Sequence, residues 1–138
     1  MPATVPTELA PGIWRLVFEM PWFFLKSVNA YLIRDREGYA LVDCGMDNEE
    51  CWTQLTEQLA ALHVPLTAIH TILATHGHPD HTGMANRLRQ QQVDTRVWLH
   101  ASEEAFIDYR RGEHSTELLE RWLVRYGVPT EEASDMAS

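Results

Sequence analysis

Residues Thr75–Gly83 read THGHPDHTG, and Thr75 closes an apolar run, AIHTILAT, that begins at Ala68. The run is rich in β-branched and aliphatic residues and follows Pro65, so it reads as a strand buried on both faces. The histidine-rich stretch is then a loop at the carboxyl end of that strand. Four of its six positions from His76 to His81 carry side chains that ligate metals: His76, His78, Asp80 and His81.

Imidazole and carboxylate groups are borderline ligands that suit zinc, and also iron or manganese. His76 and His78 alternate, so in an extended loop both rings point to one side and can share one ion. Asp80 and His81 are adjacent and are directed differently, which suits a second ion close by. Two such ions can hold a bridging hydroxide that is nucleophilic at neutral pH. Gly77 and Pro79 tighten the loop without bulk, and Gly83 lets the next helix begin near the ligands. The competing reading is a polar loop whose histidines bind nothing, and the density of ligand-type residues argues against it.

Working outward from the loop, strands are expected at Ile13–Phe18, Val28–Asp35 and Gly38–Gly45, the latter two joined by a hairpin turn. Asp47 followed by Glu50 has the form of a capping box. The helix it opens carries Trp52, Leu55, Leu59 and Leu62 on one stripe and ends before Pro65. Beyond the loop, a helix over about 82–92 and a strand over 95–101 are expected. The last third reads as helical, with Leu118, Leu119, Trp122, Leu123 and Tyr126 on one face. Gly127 is its cap, and Thr130 with Glu131 and Glu132 opens the first turn of one more helix. A sheet covered by helices on one face follows, its other face still needing a cover.

The bulk numbers narrow the function. The 138 residues make one domain, 45% hydrophobic and 22% charged, with a formal net charge of −9. An acidic surface repels phosphate backbones, and the scattered arginines form no basic patch, so nucleic acid is not expected as a partner. No apolar run is long enough to span a membrane, and the first residues lack the basic-then-apolar pattern of a secretory signal. Cys44 and Cys51 form no disulfide framework, so both thiols are expected free in a cytoplasmic protein.

THGHPDHTG resembles the H-x-H-x-D-H signature of the metallo-β-lactamase-fold hydrolases. VNAYLI (Val28–Ile33) resembles that family's second-strand pattern, and LVDCG (Leu41–Gly45) its aspartate-glycine turn before the first helix. The likeness extends over about Pro11–Gly127, and the loop is closest to the glyoxalase II-like and esterase-like branch. It implies an α+β fold, an αββα sandwich, of which this chain supplies mainly the N-terminal half: a mixed sheet with helices on its outer face. It implies two zinc ions per complete site, with His76 and His78 on the first and Asp80 and His81 on the second. Asp80, facing the metal-held hydroxide, is the catalytic candidate, and Asp43 matches the buried carboxylate that supports the loop. The small-molecule substrate implied has an ester, thioester, lactone or related bond. The aromatics Trp22, Phe23 and Phe24 then border the substrate mouth, or else pack on their own domain.

In that family the first metal takes a third histidine from the second half of the fold, followed there by a bridging aspartate and a last histidine. Nothing here matches those elements: His63, His70, His100 and His114 read as core or surface residues. The chain therefore reads as one incomplete domain over 1–138, with two protein ligands per metal and low affinity. Its uncovered sheet face favours self-association. Two functions stay open: a metal-dependent hydrolase, or an inactive half-domain that binds metal weakly or associates with another chain. Cys44 beside Asp43 reads as a small buried residue rather than a nucleophile.

Overall fold

The computed structural model describes residues 5–20, 25–91, 94–103, 120–121, 123–125 and 127–137. They belong to two compact units, residues 1–100 and 101–138. The first unit is built on a six-stranded sheet whose spatial order follows the sequence. Its strands are β1 (Thr7–Ala10), β2 (Ile13–Glu19), β3 (Ser27–Arg34), β4 (Tyr39–Val42), β5 (Ile69–Leu73) and β6 (Arg96–Trp98). Neighbours from β1 to β4 are antiparallel, and β4, β5 and β6 run parallel. The change of direction follows from the connections. A tight turn joins β3 to β4, whereas the path from β4 to β5 crosses over through helix α1 (Glu49–Ala61). The fold is thus the α+β mixed sheet that the sequence pattern implies. β1 is an addition to that pattern: all four of its residues are exposed, so it carries no alternation to read.

Register decides which residues the sheet buries, because cross-strand partners share a face. One row runs Trp14, Leu32, Leu41, Ile72 and Val97 across five strands. Leu32, Leu41 and Ile72 in it are fully buried, and they join Leu16, Phe18 and Ala30 in one core. α1 adds Cys51, Leu55 and Leu59 to the same core, and helix α3 (Ala85–Gln91) adds Leu88. The helices therefore cover one face. The adjacent row, Tyr31, Val42, Leu73 and Trp98, points the other way. There Leu73 is 38% and Trp98 58% exposed.

The helices depart from the sequence reading in detail. The cap of α1 is Asn48 rather than Asp47: its backbone is extended and its side-chain oxygen accepts the Cys51 N–H at 2.7 Å. The single helix expected over 82–92 is two, α2 (Pro79–Thr82) and α3, parted at Gly83–Met84. Pro79 starts α2 two residues before His81, because proline's fixed φ suits a first helical position. The strand expected over 95–101 is confined to Arg96–Trp98.

One buried polar residue explains the sheet's edge. β1 reaches only Thr7, opposite Arg15, so no strand lies beside Val17 on that side. Gln58 of α1 takes the strand's place. Its Oε1 accepts the Val17 N–H at 3.0 Å and its Nε2 donates to the Val17 carbonyl at 2.9 Å. Gln54 accepts the Glu19 N–H at 2.7 Å in the same manner.

In the second unit helix α4 (Thr130–Ala137) extends to eight residues, well past the first turn expected, and Ala133 on it is fully buried. Leu118, Leu119, Trp122 and Tyr126 of the expected stripe lie outside the described residues, and Leu123 is half-buried. Among the described residues, no helix is long and apolar enough to cross a membrane.

Candidate metal centre

The histidine loop is held by the segment that follows β4. The Asp43 N–H donates to the Leu73 carbonyl at 2.9 Å, which extends the β4–β5 ladder by one step. Asp43 then adopts φ +56°, in the left-handed region that Asp tolerates better than most residues. That turn sends its carboxylate into the loop. Cys44 N–H donates to the His81 carbonyl at 2.8 Å, and Met84 N–H to the Gly45 carbonyl at 3.3 Å. Gly45, at φ +76°, lies where a Cβ would come within 3.0 Å of Met84 and 3.2 Å of Phe18. LVDCG is thus a cradle for α2 and the loop before it.

Asp43 is 5% exposed, and its charge is met by three donors. The Thr75 N–H donates to Oδ1 at 2.8 Å, the Thr75 hydroxyl lies 2.8 Å from Oδ2, and His81 Nδ1 lies 2.7 Å from Oδ2. A carboxylate only accepts, so His81 carries its proton on Nδ1 and leaves Nε2 as the nitrogen able to ligate. That Nε2 faces Asp80 Oδ2 at 3.5 Å. On the other side, His76 Nε2 and His78 Nδ1 approach to 3.1 Å. The His76 ring stands between the other two, with centroids 4.7 Å from His78 and 4.1 Å from His81. The four ligand candidates therefore form two donor pairs side by side.

This donor set fits a metal. Two nitrogens on one tetrahedral zinc, each at about 2.0–2.1 Å, stand roughly 3.3 Å apart. The 3.1 Å separation of His76 Nε2 and His78 Nδ1 is close to that spacing. One histidine of each pair has a polar neighbour behind it, as metal-ligating histidines do: Asp43 at 2.7 Å from His81 Nδ1, and the Thr75 hydroxyl at 3.0 Å from His76 Nδ1. Among the described residues no group of three or more such side chains is placed to hold one ion.

A profile of the metallo-β-lactamase superfamily matches residues 24–135. The chain belongs to that superfamily. Its members are typically metal-dependent hydrolases and bind metal ions, usually zinc. A metallo-β-lactamase family protein from Thermus thermophilus superposes with a TM-score of 0.73 at 32% identity. The match covers 93% of this chain and 43% of that one. The probable metallo-hydrolase YqjP of Bacillus subtilis is 28% identical over 109 residues, 78% of this chain and 33% of YqjP. The lactamase-like protein vrtG of Penicillium aethiopicum is 29% identical over 113 residues, 80% of this chain and 36% of vrtG. The chain spans about a third of the length of the curated relatives it matches.

Other sequence candidates fall elsewhere. Trp22, Phe23 and Phe24, and His114, lie outside the described residues. His70 is engaged at the opposite end of β5: its Nε2 pairs with Asp35 at 2.9 Å and its Nδ1 with the Thr71 hydroxyl at 2.8 Å. His63 lies just past the Leu62 cap of α1, at φ +56°. Cys44 has no exposed surface, and burial pushes its thiol pKa up to about 12, with the Asp43 charge adding to the rise. It stays a neutral thiol at any ordinary pH and is no nucleophile. The residue that sequence reading passed over is Thr75, although it opens the quoted stretch. Its place between a buried carboxylate and a ligand histidine was signalled only by its position next to His76.

Proposed function

We propose that this chain carries the metal-binding half of a hydrolase that cleaves an ester, thioester, lactone or related bond of a small molecule. The observation that carries the reading is the convergence of His76 Nε2 and His78 Nδ1 at 3.1 Å beside the Asp80–His81 pair. His76 and His78 hold one ion and Asp80 and His81 a second, zinc being favoured by the nitrogen-rich donors and iron or manganese accepted by the same set. A bound divalent ion polarises a carbonyl oxygen and makes water acidic enough to attack at neutral pH. Asp80 offers a carboxylate oxygen that accepts a hydrogen bond from the attacking water and orients it. Asp43 keeps His81 in the ligating tautomer.

The test pairs metal analysis with turnover. Purified chain, reconstituted with zinc, is expected to bind close to two ions and to hydrolyse a simple thioester, with both lost in His76→Ala. A chain that binds no zinc would refute the reading.

A second reading is favoured by the lack, among the described residues, of a third donor to either pair and by the apolar row ending in Leu73 and Trp98. In it the chain binds metal weakly, is inactive alone, and associates with another copy through that sheet face. Weak zinc binding without turnover, together with a sedimentation mass above 15.9 kDa, is the result that would select it.

A further inference from the structure

We infer that Thr75 is a positioning residue that selects which nitrogen His76 presents to a metal, and that it works through the same carboxylate that holds His81. The inference rests on the metal-site reading above, but its chemistry is settled within the protein. The Thr75 hydroxyl has one proton to give and lone pairs to accept with. It lies 3.0 and 2.8 Å from the two oxygens of Asp43, and 3.0 Å from His76 Nδ1. The carboxylate cannot donate. If the hydroxyl gave its proton to His76, its lone pairs would face those of Asp43 at 2.8 Å, against a carboxylate that is itself only 5% exposed. The consistent assignment is therefore a relay, in which Thr75 donates to Asp43 and His76 Nδ1–H donates to Thr75.

The relay has two consequences. With its proton on Nδ1, neutral His76 has a bare Nε2, and that is the atom turned toward His78. Asp43 then orients one histidine of each donor pair: His81 directly, at 2.7 Å, and His76 through the threonine. The Thr75 backbone N–H, bonded to Oδ1 at 2.8 Å, holds the main chain against the carboxylate whatever side chain is present. The hydroxyl itself has no substitute, since valine keeps the shape and loses the relay, whereas serine keeps it.

The experiment compares the intact wild-type chain with Thr75→Val and Thr75→Ser. Long-range proton–nitrogen NMR on the metal-free protein reads the His76 tautomer, and competition with a chromophoric chelator reads zinc affinity. The expected result is an Nδ1–H tautomer for His76 in wild type and Thr75→Ser. Thr75→Val should show mixed tautomers and zinc affinity lower by about 10-fold, the scale seen when a ligand's supporting partner is removed. Thr75→Ser should stay within about two-fold of wild type. An Nε2–H tautomer in wild type overturns the inference, and does so even if the valine variant fails to fold. A valine variant with unchanged tautomer and affinity overturns it too, as does a serine variant that behaves like valine. A wild-type chain that binds no zinc but shows the Nδ1–H tautomer would end the hydrolase reading and leave the relay standing.

Discussion

Gly83 shows at the scale of one residue how tightly the loop is docked. Its φ of −55° is open to any amino acid, so conformational freedom is not why glycine sits there. Space is the reason: a Cβ would lie 2.5 Å from the Asp47 nitrogen, 2.5 Å from the Pro79 carbonyl oxygen and 2.9 Å from the Met46 Cα. All three neighbours are backbone and cannot swing aside. Gly83→Ala must push α2 away from the segment after LVDCG, on which the positions of Asp80 and His81 depend. It is expected to cost about 1–3 kcal/mol in urea unfolding, the range for overpacking. Zinc affinity, measured by chelator competition, should fall with it. The sequence shows this glycine plainly, and its nearness to the ligands could be read. The backbone it abuts lies 36 positions earlier, and only the fold brings the two together.

Among the elements, α1 does two jobs, of which the sequence displays one. The stripe of Leu55 and Leu59 was legible from its helical spacing, and both are buried in the core. Gln58 looks on paper like a solvent-facing residue between them, yet it is 1% exposed. No local pattern announces that β1 is too short to pair with Val17, so the need for a side-chain amide there is invisible until the strands are laid side by side. Gln58→Leu preserves volume and helix propensity but leaves the Val17 N–H and carbonyl without partners. Each orphaned group costs about 1–3 kcal/mol, so the two together put the expected loss in urea unfolding at about 2–6 kcal/mol. Gln58→Glu keeps the bond from the Val17 N–H but sets a buried carboxylate oxygen against the Val17 carbonyl, so a loss larger than that of Gln58→Leu is expected near neutral pH.

For the molecule as a whole, the order of the strands from Ile13 onward and the histidine loop at the end of β5 were legible because each rests on short-range pattern: alternation, helical stripe, histidine density. What stayed hidden depends on long-range register, including β1, the Gln58 edge and the Asp43–Thr75 contact. Hydrogen bonding at one residue and burial at another set how global stability should vary with pH. The Asp35 carboxylate accepts the Glu37 N–H at 2.8 Å, which together with His70 and Gly38 holds its pKa below the ordinary 3.8. A depressed acid stabilises the fold above its unfolded pKa, so this contribution is lost as pH falls below about 4. Cys44 acts at the other end and with the opposite sign. Its thiol ionises near 9.0 when unfolded and only at about 12 when folded, because burial opposes the thiolate. Between those values the unfolded chain has released a proton that the folded chain retains, so raising pH favours unfolding. Stability is expected to fall by about 1.4 kcal/mol per pH unit above 9 through this one group. Urea unfolding at stepped alkaline pH measures the slope, and Cys44→Ala isolates it. The variant should lose some stability at pH 7 from the smaller side chain, yet decline less steeply above pH 9. Equal slopes in the two proteins would show that the buried thiol does not govern alkaline unfolding.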